Sequence, residues 1–192
     1  MIAIIKYNAG NIHSVQNALD RLEYKSVITD DPVTILSAEK VIFPGVGEAS
    51  SAMKYLIEKE LDKTILSITK PILGICLGLQ LMCESSEEGN TKCLGIFDAQ
   101  VKKFPNTKIV PHMGWNSFSE INGVLFRNIN VNDDVYFVHS YFAETCRFTT
   151  AICNYIQPFS SAIQRDNFYA TQFHPEKSAD VGEQILKNFL EL

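Results

Sequence analysis

Short apolar runs alternate with helical patterns through the first half of the chain, and this alternation constrains the fold most. The runs cover residues 3–5, 27–28, 41–43 and 72–75. Apolar residues recur with helical spacing over 12–22 and over 53–68, and Lys70-Pro71 ends the second pattern. This order predicts an α/β fold whose mostly parallel central sheet is flanked by helices.

The second half of the chain is richer in strand patterns. Residues 135–141 and 168–173 are aromatic and β-branched, and 149–155 form a weaker strand pattern. Apolar residues at helical spacing over 181–190 predict a final amphipathic helix against the sheet. Near the N-terminus, we expect Asn11 to cap the helix that follows it. Substrate is expected at the carboxyl ends of the parallel strands.

Length and composition narrow the class of protein. The 192 residues suffice for one domain, 1–192, and 46% of them are hydrophobic, as in a globular protein. There are 17 Lys and Arg against 22 Asp and Glu, so the net charge of −5 disfavours a nucleic-acid partner. No apolar run is long enough for a signal peptide or a membrane span, so we expect a cytoplasmic protein with no membrane partner.

The cysteines and glycines give no sign of a metal or a cofactor. The five cysteines have no CxxC spacing and are expected to be reduced. There is no GxxxxGK phosphate loop. We therefore expect no metal site and no cofactor.

Cys76 is the first candidate for chemistry. It lies in Gly74-Ile75-Cys76-Leu77-Gly78, a G-x-nucleophile-x-G pattern where a buried strand meets a helix. The glycines allow a tight turn that lifts a nucleophile above the sheet, and the helix N-terminus favours a thiolate there. The alternative is a buried, unreactive cysteine in a glycine-bracketed turn.

His174 and Glu176 supply the partners that a cysteine nucleophile needs. His174 follows the strand pattern over 168–173, and Pro175 favours an extended backbone at His174. Residues two apart in an extended segment point the same way, so Glu176 can bind one imidazole nitrogen and leave the other for the thiol. Cys76, His174 and Glu176 thus form a complete candidate triad. The alternative is a surface histidine beside a glutamate.

The segment Pro44-Gly45-Val46-Gly47 follows another buried strand. Its glycines allow a peptide to flip, so that an N–H of Val46 or Gly47 points inward. Together with the N–H of Leu77, this would form an oxyanion hole. A plain strand-to-loop turn is the alternative.

The remaining histidines and the single tryptophan are weaker signals. His139 is interpreted as a satisfied core histidine near the site, and neither His112 nor His13 has metal-ligand spacing. Trp115 lies between Gly114 and Asn116, which favour a loop, where it would be either core or an exposed interface anchor.

The chain resembles the class I, triad-type glutamine amidotransferases along its whole length. Within that family it is similar to the glutaminase subunits of imidazole glycerol phosphate synthase, from histidine biosynthesis. The segments that carry the resemblance are 7–11, 44–47, 74–80, 111–116, 136–141 and 172–178. The cysteine elbow and His174-Pro175-Glu176 indicate the family. The PHMGWN segment over 111–116, and Leu79 where many members carry His, indicate the narrower group.

The resemblance implies a flavodoxin-like fold and hydrolysis of glutamine to glutamate and ammonia. Cys76 would attack the side-chain amide, His174 would shuttle the proton and Glu176 would orient His174. The residues that would hold L-glutamine are Gly45, Gly47, Gln80, Ser140 and Tyr141.

The resemblance also implies a partner. Asn11, Trp115, Tyr136 and Lys177 would face a separate (β/α)₈-barrel cyclase subunit in a heterodimer. That subunit would take the ammonia and make imidazole glycerol phosphate and AICAR.

Three other functions stay open from the residues alone. A paralogue could deliver ammonia to a different synthase, such as one that amidates a cell-surface sugar. A stand-alone cysteine hydrolase would need no partner for activity. A non-catalytic binding or regulatory subunit is the third, although an incomplete triad would favour it and all three members are present.

Overall fold

The structure is a computed structural model that describes residues 1–8 and 10–192. The strands are β1 (Ile2–Ile5), β2 (Ser26–Thr29), β3 (Lys40–Gly45), β4 (Ile72–Cys76), β5 (Ser85–Ser86), β6 (Thr91–Lys92), β7 (Gln100–Lys103), β8 (His112–Ser117), β9 (Glu120–Ile121), β10 (Asp134–His139), β11 (Tyr141–Ala143), β12 (Thr149–Asn154), β13 (Pro158–Arg165) and β14 (Phe168–Thr171). The helices are α1 (Ile12–Arg21), α2 (Pro32–Ser37), α3 (Ala49–Glu58), α4 (Leu61–Leu66), α5 (Leu77–Met82) and α6 (Ala179–Leu190). Short 3₁₀ turns cover Glu88–Asn90, Val124–Phe126 and Pro175–Lys177.

A central sheet of eight strands organises the molecule, in the order β2-β1-β3-β4-β14-β13-β12-β9. The first five strands are parallel to one another, and β13, β12 and β9 continue the sheet antiparallel. Two smaller sheets, β11-β7-β5-β6 and β10-β8, lie beside it. The predicted α/β class with a mostly parallel sheet is confirmed.

The sheet is covered on both faces because its central strands are apolar throughout. In β1, for example, Ala3 and Ile5 belong to one core cluster and Ile2 and Ile4 to the other, as the two-residue period of a strand requires. Residues of α2 to α5 complete the first cluster, and residues of α1 and α6 complete the second. Helices therefore flank both faces of the sheet.

Several local expectations were wrong. The stripe over 53–68 is two helices, because Glu60 adopts φ 55°, which an α-helix cannot contain. The strand expected over 135–141 is divided at Ser140 between two sheets. Asn11 does not cap α1: it has φ 72°, and its side chain makes no capping hydrogen bond. Trp115 lies on strand β8 rather than on a loop.

The strand ends place the candidate residues together. Gly45 is in register with Cys76 at the carboxyl ends of the neighbouring strands β3 and β4. Strand β14 pairs with β4 on the other side, and His174 follows it after two residues. The predicted location of the site, at the carboxyl edge of the parallel strands, agrees with this arrangement.

Candidate active site

Cys76 occupies a strained turn between β4 and α5. Its φ is 55° and its ψ is −104°, a conformation that costs a non-glycine residue about 1–3 kcal/mol. The turn needs glycine at 78, because a Cβ there would lie 1.9 Å from the Phe43 carbonyl oxygen. The strain and close packing hold the thiol at the start of a helix, as the elbow pattern predicts.

His174 and Glu176 are brought together as the sequence predicts. Nδ1 of His174 lies 2.7 Å from Oε1 of Glu176, and both side chains are fully buried. The Asn11 amide also donates a hydrogen bond to Oε1 of Glu176. Nε2 of His174 is buried and makes no direct hydrogen bond of ordinary geometry within the described part of the chain, which leaves it for Cys76.

The backbone around His174 fixes its position. Its N–H donates to the Tyr136 carbonyl at 2.9 Å, and its own carbonyl accepts from the Ser178 hydroxyl at 2.6 Å. The Ser178 oxygen in turn accepts from the Tyr136 N–H at 2.9 Å. Strand β10, which belongs to a separate two-stranded sheet, therefore fixes the backbone that carries the imidazole.

The electrostatics of His174 depend on its two neighbours. Burial alone would lower the pKa of the imidazole, but the adjacent Cys76 and Glu176 raise it to about 10. A protonated His174 beside Cys76 favours an imidazolium–thiolate pair, which is the reactive state of a cysteine nucleophile.

A cavity of about 330 Å³ opens in front of Cys76. Its lining includes most of the residues predicted for substrate and oxyanion binding: Val46, Gly47, Leu77, Gln80, Ser140 and Tyr141. Gly45 is not among the lining residues in the described part of the chain; instead it packs against Tyr7, whose hydroxyl would lie 2.0 Å from a Cβ at position 45. The structure thus accounts for Gly45 by close packing rather than by a place in the cavity wall.

The glycine segment 44–47 overlaps the end of β3, because Pro44 and Gly45 are the last two residues of that strand. Gly47 adopts φ +126°, which L side chains rarely adopt, and it is exposed at the cavity. This conformation supports a peptide that can turn its N–H towards the cavity.

Two glutamines connect the cavity wall to the thiol. Nε2 of Gln80 donates to the Tyr141 carbonyl at 2.9 Å and to Oε1 of Gln172 at 3.0 Å. Nε2 of Gln172 donates to Sγ of Cys76 at 3.6 Å. Gln80 is therefore a structural link as well as a lining residue.

Sequence reasoning missed several residues of the cavity, among them Glu88, Pro111 and Val138. Glu88 is half-buried, and burial raises the pKa of its carboxyl although the Ala49 N–H donates to it at 2.8 Å. It lies on a 3₁₀ turn between short strands, a region without a periodic pattern. The one local signal for Glu88 in the sequence is its place as an acidic residue next to Gly89.

The residues expected to face a partner lie on one side of the site. Trp115 and Tyr136 are directly opposite each other on β8 and β10, with ring centroids 5.9 Å apart. Trp115 is 54% exposed, and Lys177 is exposed beside the buried Glu176. Asn11 is half-buried, and its amide is directed at Glu176.

Across 1–8 and 10–192, no three His, Cys, Asp or Glu side chains come together so as to hold a metal ion. Over the same residues, no helix combines the length and the apolar character that a bilayer crossing needs.

Comparisons with known proteins identify the family of the chain. The family model described as glutamine amidotransferase class-I matches residues 3–192. The chain belongs to the class I glutamine amidotransferases. The imidazole glycerol phosphate synthase subunit HisH of Bacteroides fragilis (strain YCH46) is 56% identical over 194 residues, covering 100% of this chain and 99% of the relative. The subunit of the same description from Yersinia pseudotuberculosis is 45% identical with the same coverage.

A solved structure supports the fold of this amidotransferase. A protein from Thermoplasma acidophilum, described as one subunit of GMP synthase, aligns with a TM-score of 0.75 and 21% identity, covering 99% of this chain and 92% of the other. The predicted family, the glutamine amidotransferase class of enzyme and its likeness to the histidine-biosynthesis subunits are confirmed. The roles of the individual site residues stay predictions.

Proposed function

We propose that this amidotransferase is the glutaminase subunit of a cytoplasmic imidazole glycerol phosphate synthase. It hydrolyses L-glutamine to glutamate and ammonia, and the ammonia passes to a (β/α)₈-barrel cyclase subunit in a heterodimer. The relatives named as HisH support the synthase, since they are 45–56% identical over the full chain. They favour this assignment over a paralogue that serves a different synthase.

The observation that carries the chemistry is the pairing of a strained Cys76 with a buried His174–Glu176 pair. The Cys76 thiolate attacks the side-chain amide carbon and forms a new C–S bond. The charge that develops on the amide oxygen is stabilised by N–H groups of Val46 or Gly47 and of Leu77. Collapse of this intermediate breaks the C–N bond, and protonated His174 gives its proton to the leaving ammonia.

The second half of the reaction releases glutamate. Neutral His174 takes a proton from water, and the resulting hydroxide attacks the γ-glutamyl thioester. The C–S bond breaks and the Cys76 thiolate returns beside a protonated His174, so the cycle is closed. Glu176 stabilises the charged imidazole at each stage, because it accepts from Nδ1 at 2.7 Å.

The cavity wall supplies groups for the other end of glutamine. The Glu88 carboxylate suits the α-ammonium group, because it is a half-buried anion that lines the same cavity as Cys76. The backbone at Ser140 and Tyr141 and the side chain of Gln80 border the space between them. A substrate with an ammonium at one end and an amide at the other fits this pattern of charge.

The partner face is the Trp115–Tyr136 pair with Lys177 and Asn11. An exposed tryptophan beside a tyrosine is a common anchor of a protein interface. Asn11 connects this face to the triad, since its amide donates to Glu176. The partner would therefore meet the site from the side of Glu176.

The test is the choice of nitrogen source by a Cys76→Ala variant in complex with the cyclase subunit. Glutamine-dependent product formation should fall by orders of magnitude, whereas ammonium-dependent formation should stay near the wild-type rate. Cys153→Ala is the matched control, because Cys153 is fully buried on strand β12 and does not line the cavity in front of Cys76. Loss of both reactions in an assembled complex would show that Cys76 acts through structure, and loss of neither would exclude it as the nucleophile.

A further inference from the structure

Two buried histidines outside the triad form a pair next to the cavity. His112 on β8 and His139 at the end of β10 are opposite each other in register, with Nδ1 of His112 2.9 Å from Nε2 of His139. Only 4% of His112 and 5% of His139 is exposed. The proposed mechanism gives neither of them a role.

The protons of this pair have one arrangement. Nδ1 of His139 lies 2.8 Å from the Tyr141 carbonyl, which can only accept, so Nδ1 carries the proton. In a neutral imidazole Nε2 is then an acceptor, and Nδ1 of His112 must donate to it. This leaves Nε2 of His112 as an acceptor, and the Asn116 amide lies 3.4 Å away to donate.

The orientation of the Asn116 amide agrees with this arrangement of protons. The Asn116 amide nitrogen also donates to the Asn154 carbonyl at 3.0 Å, and its oxygen accepts from the Ser117 N–H at 2.9 Å. The amide therefore cannot turn over without losing both bonds. Hydrogen bonds run from Asn116 through His112 and His139 to the Tyr141 carbonyl.

Packing holds both rings neutral and in place. His112 stacks on Tyr155, with centroids 4.2 Å apart, and on Phe137, with centroids 4.8 Å apart. Burial lowers the pKa of His112 to about 4, and burial lowers the pKa of His139 to about 3. The rings are therefore neutral near pH 7, as the direction of the hydrogen bonds requires.

The Tyr141 carbonyl is the point where this series meets the substrate cavity. It accepts from His139 on one side and from Gln80 on the other, at 2.8 Å and 2.9 Å. Ser140 and Tyr141 both line the cavity, and they join strands of two different sheets. The Phe104 N–H donates to the Ser140 carbonyl at 3.0 Å, and Tyr141 is in register with Lys103 of β7. Strand β7 therefore holds the backbone of this junction, and the donors from His139 and Gln80 fix the direction of the Tyr141 carbonyl.

We infer that His112 and His139 are positioning residues that orient the Tyr141 carbonyl, and with it the Ser140–Tyr141 wall, for glutamine binding. The inference rests on the proposed function, because it assigns the wall to glutamine. His139 acts through the Tyr141 peptide, and His112 acts through His139. Substrate affinity is the property that these residues set.

Two variants of His139 and one variant elsewhere in the core separate positioning from core packing. In His139→Asn, the amide nitrogen replaces Nδ1 and keeps the donor to Tyr141. In His139→Phe, the ring volume stays but the donor is lost. Phe126→Leu is the control for destabilisation, since Phe126 is a core residue that does not line the cavity. Glutaminase kinetics are measured on the full chain in complex with the cyclase subunit.

The expected result is a split between KM and kcat. His139→Phe should raise the KM for glutamine by about 10-fold or more, the effect of removing one buried hydrogen-bond donor, with kcat within about 3-fold of wild type. His139→Asn should keep KM within about 3-fold, although it leaves Nδ1–H of His112 unpaired. Phe126→Leu should lower the melting temperature and leave KM unchanged.

Other results overturn the inference. Equal KM values for the Asn and Phe variants would show that the donor to Tyr141 does not matter, and a fall in kcat alone would place His139 in the chemistry. A wild-type complex that makes product from ammonium but does not hydrolyse glutamine would instead overturn the proposed function, and this inference with it.

A measurement on the wild-type chain does not depend on whether a variant folds. Proton–nitrogen correlation spectra of the imidazole rings distinguish the two neutral tautomers. Both His112 and His139 should carry the proton on Nδ1 at neutral pH. A proton on Nε2 of His139, or a charged ring at either position, would contradict the proposed direction of the hydrogen bonds.

Discussion

His174 and His139 are both buried at the candidate site, yet His174 is held protonated and His139 is held neutral. Neighbouring Cys76 and Glu176 outweigh burial at His174 and raise its pKa to about 10. At His139 burial dominates and lowers the pKa to about 3, and the neighbouring His112 and His174 lower it further. Burial by itself therefore makes a histidine neutral and structural, whereas an acid–base histidine needs negative charge beside it.

The largest expected difference between the two histidines comes from making the same substitution at both positions. His174→Asn should lower kcat for glutamine by roughly 10³–10⁴-fold, because it removes the group that protonates the leaving ammonia. His139→Asn should change kcat by less than about 3-fold, because the donor to Tyr141 is retained. Steady-state glutaminase assays of the two variants side by side give the answer, and similar losses at both positions would remove the distinction.

The contrast between the two histidines also shows what the sequence could predict. The triad residues could be recognised because they lie where strand patterns end and belong to short motifs. Cys76 is two residues from the glycine on either side of it, and His174 and Glu176 are two residues apart. The predicted fold was recognisable from the alternation of buried runs and helical patterns. These features depend on local spacing, which a single sequence records.

The contacts that were missed depend on pairing between distant segments. The sequence indicated His139 as a core histidine near the site, and the structure buries it there, but its contact with His112 was not predicted. His112 and His139 meet only because β8 pairs with β10 in one register, and Gln172 reaches Cys76 only because β14 pairs with β4. Strand β13, the longest of the sheet, was also missed. Asn11 was assigned to a helix cap, the local choice, whereas its side chain binds Glu176 across 165 residues.

A smaller effect is expected when the negative charge beside His174 is removed. Glu176 helps to raise the pKa of His174, so Glu176→Gln should lower it. The protonated imidazole would then be lost at lower pH, and the alkaline limb of the kcat profile should shift towards acid. We expect the maximal rate to fall at the lower end of the roughly 10²–10⁴-fold range of acid–base catalysis.

A pH–rate profile of wild type and Glu176→Gln checks this expectation. An alkaline limb in the same place for both proteins would show that Cys76 alone sets the charge of His174. A shift towards higher pH would contradict the sign of the account.

The smallest effect concerns stability in acid. The folded-state pKa values of His112 and His139, about 4 and about 3, lie below the ordinary value of 6.5. Between these values the unfolded chain binds more protons, so these residues cause the free energy of unfolding to fall as the pH drops from 6.5 towards 4. His139→Phe removes one such group, and the decline should become shallower.

Urea unfolding at a series of pH values measures that slope. Phe126→Leu again serves as the control, because it destabilises the core without removing a titrating group. An unchanged slope in His139→Phe would mean that His139 is not held neutral by the folded chain.

The most direct test of the central claim, that Cys76 is the nucleophile for glutamine, is the site of a covalent adduct. A diazo-ketone analogue of glutamine should add once to the chain, and peptide mapping should place the adduct on Cys76. The same reaction should be much slower in His174→Asn and nearly unchanged in His139→Asn, since only His174 adjoins the thiol. An adduct on Cys83, Cys93, Cys146 or Cys153, or the same rate in both histidine variants, would contradict the account.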